Sequence, residues 1–431
     1  MDMRAAQALI RFGLGRRGAE ATPADPQAWL ARQLDGPDPA LATPGASTAD
    51  GLETLRAFRR LKPADRPKPN PLQMIFRADS VQAMDTMLST TSPFRERLVW
   101  FWANHFTVSI RQGQIAEIVG GYVRDAIRPH VTGRFRDMLL AVMRHPAMLM
   151  YLENAQSVGP NSVVGQRQHR GLNENLAREN LELHTVSPAS GYTQADVTNY
   201  ARILTGWSID LNKPPPGFMF RRFTHEPGPK TLMGQSFPEG EAGGVAALTW
   251  LADHPWTHRH LATKLVRHFV ADDPPAAAVA RIAGVLRDTG GDLKAAALAI
   301  TRLPEAWQPL TKLRSPADYV IAVLRALDLP PDHRPHPQAA MNALGQPFFY
   351  APLPNGWGDT AQDWGGPETI LRRIDWAYGV TGWAANRDPA ELAGASLGPL
   401  LHAATLDQIR GAGSRREGLT LLFASPEFQR R

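Results

Sequence analysis

The sequence predicts a mostly α protein, a multi-helix single unit with a small β-hairpin insertion around residues 217–237. Three observations predict it. Between proline- and glycine-rich stretches, apolar residues recur at the three- and four-residue spacing of amphipathic helices. One short stretch, "GFMFRRF" (217–223), has strand composition and is followed, after a "HEPGP" turn, by "KTLMGQSF" (230–237), which reads as its hairpin partner. There is no internal repeat, no cysteine and no apolar run long enough to span a membrane. By composition the unit divides into an N-terminal helical part, about 1–155, and a part rich in polar motifs, about 156–275. A C-terminal helical part, about 276–431, carries a long aromatic loop.

The 431 residues, 43% hydrophobic and 20% charged, are enough to bury a sizeable core. Forty-seven basic residues against 41 acidic ones give a net charge of +6, with only seven lysines and no basic run. Nucleic-acid binding needs clustered positive charge, so it is not expected. The opening "MDMRAAQALIRFGLGRRGAE" is too short in its apolar stretch, and too interrupted by charge, to be an export signal. A cytoplasmic protein with no membrane span is the expectation, with a periplasmic form as the alternative.

Taken in order, "LDGPDPALATPGAS" (34–47) and "LKPADRPKPNP" (61–71) are loops around a short helix. "FRERLVWFWANHF" (94–106) is a helix with Phe94, Leu98, Phe101 and His105 on one stripe, widened by Val99, Trp102 and Phe106. His105 therefore sits in an apolar face. A buried neutral imidazole bonded to one carbonyl fits there, and so does a metal ligand or general base.

"LARENLELHTVSPASGYTQADVTNYARILTGW" (176–207) reads as two helices joined by a turn. In the first, Asn175, Arg178, Glu179 and Glu182 share a polar face, and His184 falls in the apolar arc opposite. One reading is an amphipathic helix with an Arg178–Glu182 pair on its outer face. The other turns the polar face into a cleft, where two carboxylates can divide acid and base roles. The spacing does not match the Glu-x-x-His of di-iron bundles. In the second helix Thr193 and Asp196 form an approximate capping box, and Val197, Tyr200, Ala201 and Leu204 supply the core face.

Further on, "FTHEPGPK" (223–230) places His225, Glu226 and Lys230 at the expected hairpin tip. "DHPWTHRHLATKLVRHFVADDPP" (253–275) is a helix with Pro255 in its first turn and Leu261, Leu265 and Phe269 as its core stripe. Its His254 and His258 stand four apart without an intervening carboxylate, and its remaining face reads as basic and solvated. "GQPFFYAPLPNGWGDTAQDWGGP" (345–367) is too long to be a simple connector.

These motifs, in this order and over nearly the whole chain, resemble the bacterial domain of unknown function 1800 family. "RFGLG", "FWANHFTVS", "NENLARENLELHT", "GYTQADVTNYARILTGW", "HEPGPKTLMG" and "LGQPFFYAPLPNGWGDTAQDW" carry the resemblance. The family comes without an assigned reaction. It implies one helical unit and motif residues at Asn104, His105, Arg178, Glu179, Glu182, His184, Asp196, Arg202, Trp207, His225 and Lys230. It also implies a neighbour-encoded partner, a phosphatase- or sulfatase-like protein of the domain of unknown function 1501 family. The chain departs from the pattern at Asn180, where Leu or Met is usual, and at Glu226, where Asp is usual.

The functional expectation is an enzyme, hydrolytic on a polar and glycan-like substrate, with a cleft between the 94–106 helix, the 174–207 pair and the hairpin tip. Glu179 or Glu182 serves as base or acid, and Arg178 or Lys230 stabilises an anion. His105 and His225 act as a second acid/base pair or, with Glu182, hold one divalent metal. Asn104, Trp207, Trp357 and Trp364 contact substrate. The alternative is a non-catalytic helical partner of the phosphatase-like neighbour.

Overall fold

In a computed structural model, residues 1–431 are described except 19, 44 and 112–114. The fold is mostly helical, with two small antiparallel ribbons. No described helix is long and apolar enough to cross a membrane.

Two apolar clusters form the interior. One gathers Phe12, Phe94, Trp102, Phe106, Phe135, Leu181, Tyr200 and Phe269 with their neighbours. Phe12, Phe94 and Phe269 pack with ring centroids 5.7–5.8 Å apart, mixing edge-on and stacked contacts as aromatic quadrupoles favour. The other gathers Ile10, Leu14, Met84 and Met87 with Tyr319, Leu324, Leu419 and Phe423. Trp100 packs against both.

Helix α1 (Pro71–Ser89) is followed by α2 (Pro93–His105), each with proline in its first turn, where the missing N–H costs nothing. The expected apolar stripe of α2 is buried, and so are Arg95, Glu96 and Arg97. Their charges are answered inside the protein. Arg95 donates to the Gln33 carbonyl at 2.9 Å and Arg97 to the Gly13 carbonyl at 2.7 Å. The Glu96 carboxylate receives both ends of the Arg128 guanidinium, at 2.6 and 2.8 Å, and the Trp100 indole N–H at 2.7 Å. This helix is thus clamped on all sides, and Trp100 is fixed in orientation.

Helix α3 (Asn175–Glu179) runs into a single π turn, Asn180–His184. Helix α4 (Gln194–Leu204) begins at the capping box read from the sequence: Asp196 accepts from the Thr193 N–H at 2.8 Å and its hydroxyl at 2.7 Å. Thr193→Ala should cost about 1 kcal/mol of unfolding free energy; a urea titration showing no change would remove the cap from the account of this helix start. Arg178 pairs with Glu174 at 2.9 Å and with Gln194, not with Glu182 as the sequence suggested. Glu174 can be reached because it lies one turn back, where Thr198 and Gln194 of α4 also converge on it.

The β insertion is two ribbons rather than one hairpin. Strands β1 (Trp207–Asp210) and β2 (Gly217–Phe220) pair with each other, and β3 (Lys230–Leu232) pairs with β4 (Gln235–Phe237). The segment 217–220 finds its partner upstream because the proline-rich 211–216 loop folds it back on the end of the α4 connection, while "MGQ" turns β3 directly into β4.

Helix α5 (Pro255–Phe269) buries Leu261, Leu265 and Phe269 as expected. Its other side is not an outer solvated face: Lys264, Arg267 and His268 line an internal cavity. Helix α6 (Pro316–Leu327) is buried along most of its length, and its Arg325 donates to the carbonyls of Gly15, Met87 and Leu88. Helix α7 (Pro367–Thr381) leads into the C-terminal helices.

Candidate functional site

A cavity of about 400 Å³ lies where the two apolar clusters meet. Its walls come from the end of α2 (Phe101, Asn104, His105), from α5 (Lys264, Arg267, His268) and from the start of α6 (Ser315, Asp318, Ile321). The 345–363 loop closes it with Phe348, Phe349, Trp357 and Asp359. The loop is pinned to α2 by a two-point clasp. Asn104 donates to the Trp357 carbonyl at 2.9 Å and accepts from the Trp357 N–H at 2.8 Å. Gly356 makes the clasp possible: its φ is +79°, and a Cβ there would strike Asn104 and Thr107.

A charged network stands in the wall. Arg431 reaches Asp318 at 2.9 Å, Asp359 at 2.8 Å and the His268 carbonyl at 2.7 Å. Arg97 pairs with Asp318 at 3.0 Å, and Lys312 joins Asp272 to the Asp359 carbonyl. The histidine and cations around them hold the Asp318 and Asp359 carboxyls well below the usual range, against the opposing effect of burial. His268 gives its Nδ1 proton to Asp359 at 2.7 Å, which leaves Nε2 unprotonated and without a partner. Burial pushes this imidazole down to about 4 despite the carboxylate.

Lys264 is different from every group around it. It lines the cavity, and among the described residues it has no hydrogen-bond or ion-pair partner. Burial pushes its ammonium down to about 8; Asp359 opposes that shift and Arg267 adds to it. Behind it stand three imidazoles. The last carbonyls of the α3 π turn need donors, and His105 Nε2 supplies one to the His184 carbonyl at 3.2 Å, His260 Nε2 another to the Leu183 carbonyl at 2.9 Å. The π turn thus serves to present two adjacent carbonyls to imidazoles. His184 itself is fully buried with neither ring nitrogen bonded. Burial keeps all three neutral, His105 well below 6.5, His184 down at about 3 and His260 at about 4.

The residues singled out from sequence are distributed as follows. Asn104, His105 and Trp357 lie in the cavity wall. Trp364 is beside it, its ring 5.9 Å from Trp357 and its N–H on the Gly358 carbonyl. Trp207 is fully buried against Phe218 under the Arg144 guanidinium. Glu179 and Glu182 are half-buried and outside the cavity lining, flanked by Tyr151 and Tyr192. Burial and the neighbouring Glu182 push the Glu179 carboxyl up. Arg178 is spent on Glu174.

His225 and Lys230 belong to a third place. His225 Nδ1 donates to the Thr205 carbonyl at 2.8 Å, and its Nε2 accepts from the Gly240 N–H at 2.9 Å and from Lys230 at 3.2 Å. Lys230 also donates to the Glu226 carbonyl, while the Glu226 carboxylate takes two bonds from Asn161. The structure therefore does not bring His105, Glu182 and His225 together, and among the described residues no three His, Asp or Glu side chains are placed to hold a metal ion.

Residues 7–430 match the family model described as "Protein of unknown function (DUF1800)". The chain belongs to the DUF1800 family. No curated protein and no solved structure matches it. For this DUF1800 protein the groups that sequence reading passed over are Lys264, His268 and Asp359. A signal was present: His260, Lys264 and His268 repeat every four residues beside the Leu261–Leu265–Phe269 stripe, so they border the core rather than oppose it.

The neutral histidines also set a pH dependence. His145, His184, His260 and His268 are pushed down to about 3–4, and His105 follows them. An unfolded chain binds those protons near pH 6.5, the folded one only at much lower pH. Stability should therefore fall as pH drops from about 6.5 toward 4, each histidine contributing up to roughly 1.4 kcal/mol per pH unit. Glu117, pushed up to about 7 by burial, works in the opposite sense and offsets about one of them. Urea midpoints that stay level between pH 7 and 5 would contradict burial of these rings in neutral form.

Proposed function

We propose that this DUF1800 protein is an enzyme, hydrolytic in type, whose reaction takes place in the cavity between α2, α5, α6 and the 345–363 loop. The observation that carries the reading is Lys264, an amine with no hydrogen-bonded or ion-paired acceptor among the described residues, facing a cavity. A half-buried ammonium with no bonded acceptor costs free energy that folding alone has no reason to accept, and perturbed amines in cavities are suited to proton transfer near neutral pH. In this reading Lys264 takes the proton from an attacking water. His268, oriented by Asp359, is the second proton-transfer group, and Arg267 stabilises negative charge that develops on the substrate. Trp100, Phe348, Phe349 and Trp357 offer aromatic faces to a polar ring such as a sugar.

Glu179 and Glu182 are a second pair of titratable neighbours, outside this cavity. A panel of chromogenic esters, amides, glycosides and phosphates, tested on wild type, Lys264→Met and Glu182→Gln, separates the two places. Turnover lost in Lys264→Met and kept in Glu182→Gln supports the cavity; the reverse moves the site to the carboxylates.

A second reading is a non-catalytic helical partner of a phosphatase- or sulfatase-like protein of the domain of unknown function 1501 family. It is favoured by Leu371, Tyr378 and Trp383, which are 61%, 47% and 55% exposed along and just beyond α7. Co-purification of the two proteins, abolished by Tyr378→Glu and untouched by Lys264→Met, is its test.

A further inference from the structure

The seven lysines of the chain fall into distinct surroundings. Lys62, Lys68 and Lys213 are exposed. Lys294 and Lys312 are ion-paired with Asp35 and Asp272, and Lys230 is bonded to His225 and the Glu226 carbonyl. Lys264 alone combines a half-buried position, a cavity beside it and no bonded acceptor among the described residues.

That combination matters because only a neutral amine has a lone pair to share. A lysine paired to a carboxylate, or standing in water, is held as ammonium at neutral pH. Around Lys264 the charged and titratable groups are Arg267 on the same helix, Asp359 from the loop, and His105, His184 and His260 behind it. Asp359 is already committed to Arg431 and His268, and the three imidazoles are neutral. Burial weighs against the charged form, so at pH 7 a larger fraction of this amine than of an exposed one is free base.

We infer that the cavity takes a small aldehyde or ketone that carries a carboxylate, and that Lys264 captures it as an imine. The Lys264 nitrogen bonds to the carbonyl carbon as the C=O π bond opens, giving a carbinolamine. The C–O bond then breaks and the oxygen leaves as water with the two protons the amine has given up, leaving C=N; no oxidant or reductant is consumed. Arg267, which has no carboxylate partner among the described ion pairs, provides the charge that selects an acidic carbonyl compound, and the aromatic walls cover the remainder. The inference rests on the cavity being the reaction site and names the class of compound it admits.

The test uses the full-length protein with glyoxylate and cyanoborohydride at pH 7, followed by peptide mapping. Lys264 should be alkylated on the order of tenfold to a hundredfold faster than Lys62, Lys68 or Lys213. Modification spread over the exposed lysines, with Lys264 untouched, overturns the inference, and this readout on wild type needs no variant to fold. If Lys264 is not alkylated yet Lys264→Met abolishes turnover, the imine falls and the proton-transfer reading stands. If Lys264 is alkylated while Lys264→Met turns over normally, the carbonyl site stands and the hydrolytic reading falls.

Discussion

Asp359→Ala should lower the unfolding free energy by about 3–5 kcal/mol, the largest effect of any single change in the cavity wall. Three groups lose a partner at once: Arg431 and Lys312, each 1% exposed, keep only Asp318 and Asp272, and the Nδ1 proton of His268 loses its carboxylate. Asp318 is left to balance Arg97 and Arg431 alone. The buried cations then carry the same desolvation cost with less of the attraction that offset it. Asp359→Asn keeps the shape and removes the charge, so it should recover little of the loss. Chemical denaturation of the two variants beside wild type measures this; an Asn variant as stable as wild type would mean that packing of the loop, not charge, is what Asp359 supplies.

Lys264→Met should act in two directions. Methionine matches the length of the lysine stem and has no charge to desolvate, so the variant should gain roughly 1–3 kcal/mol of stability at pH 7. The sign follows from the pKa. The folded amine titrates at about 8 and the unfolded one near 10.5, so below the unfolded value the unfolded chain binds the proton more tightly. Stability is lost as pH falls from about 10.5 toward 8, and methionine removes that loss. Turnover, on the other hand, should drop about 10²–10⁴-fold with the proton-transfer group gone. A variant that is less stable than wild type would show Lys264 to be a structural lysine and would count against the cavity as the site.

Much of the fold was legible because it follows from local rules. The α2 stripe, the Thr193–Asp196 cap and the core face of α5 are each set by residues within one or two turns. Strand pairing was not, since 217–220 could pair with either side and only the fold-back of the 211–216 loop decides it. The same limit applies to Arg178, which had a carboxylate four residues away in both directions and took the one that α4 also holds.

The site was legible only in part. Asn104, His105 and Trp357 carried visible signals, a polar pair ending an apolar helix and an aromatic loop too long for its task. Lys264 and His268 did not stand out, because on a helix that also holds Arg259, Arg267 and two further histidines a basic face looks like one that meets water. What turns it inward is the 345–363 loop, some eighty residues later. The four-residue repeat of His260, Lys264 and His268 places them at the border of the core but does not report on what covers them.

The cavity is assembled from Leu14, Met87, the end of α2, the middle of α5, the start of α6, the 345–363 loop and Arg431. No piece much shorter than the whole chain contains all of its wall, since Leu14 and Arg431 both line it. The setting of Lys264 therefore exists only in the assembled chain. An amine that is an ordinary ammonium on an unfolded polypeptide meets this burial and these neighbours only when segments some four hundred positions apart have met. Distant pairings of this kind carry a loop-closure cost, and a cut that lets the wall come apart should return the amine to its ordinary titration.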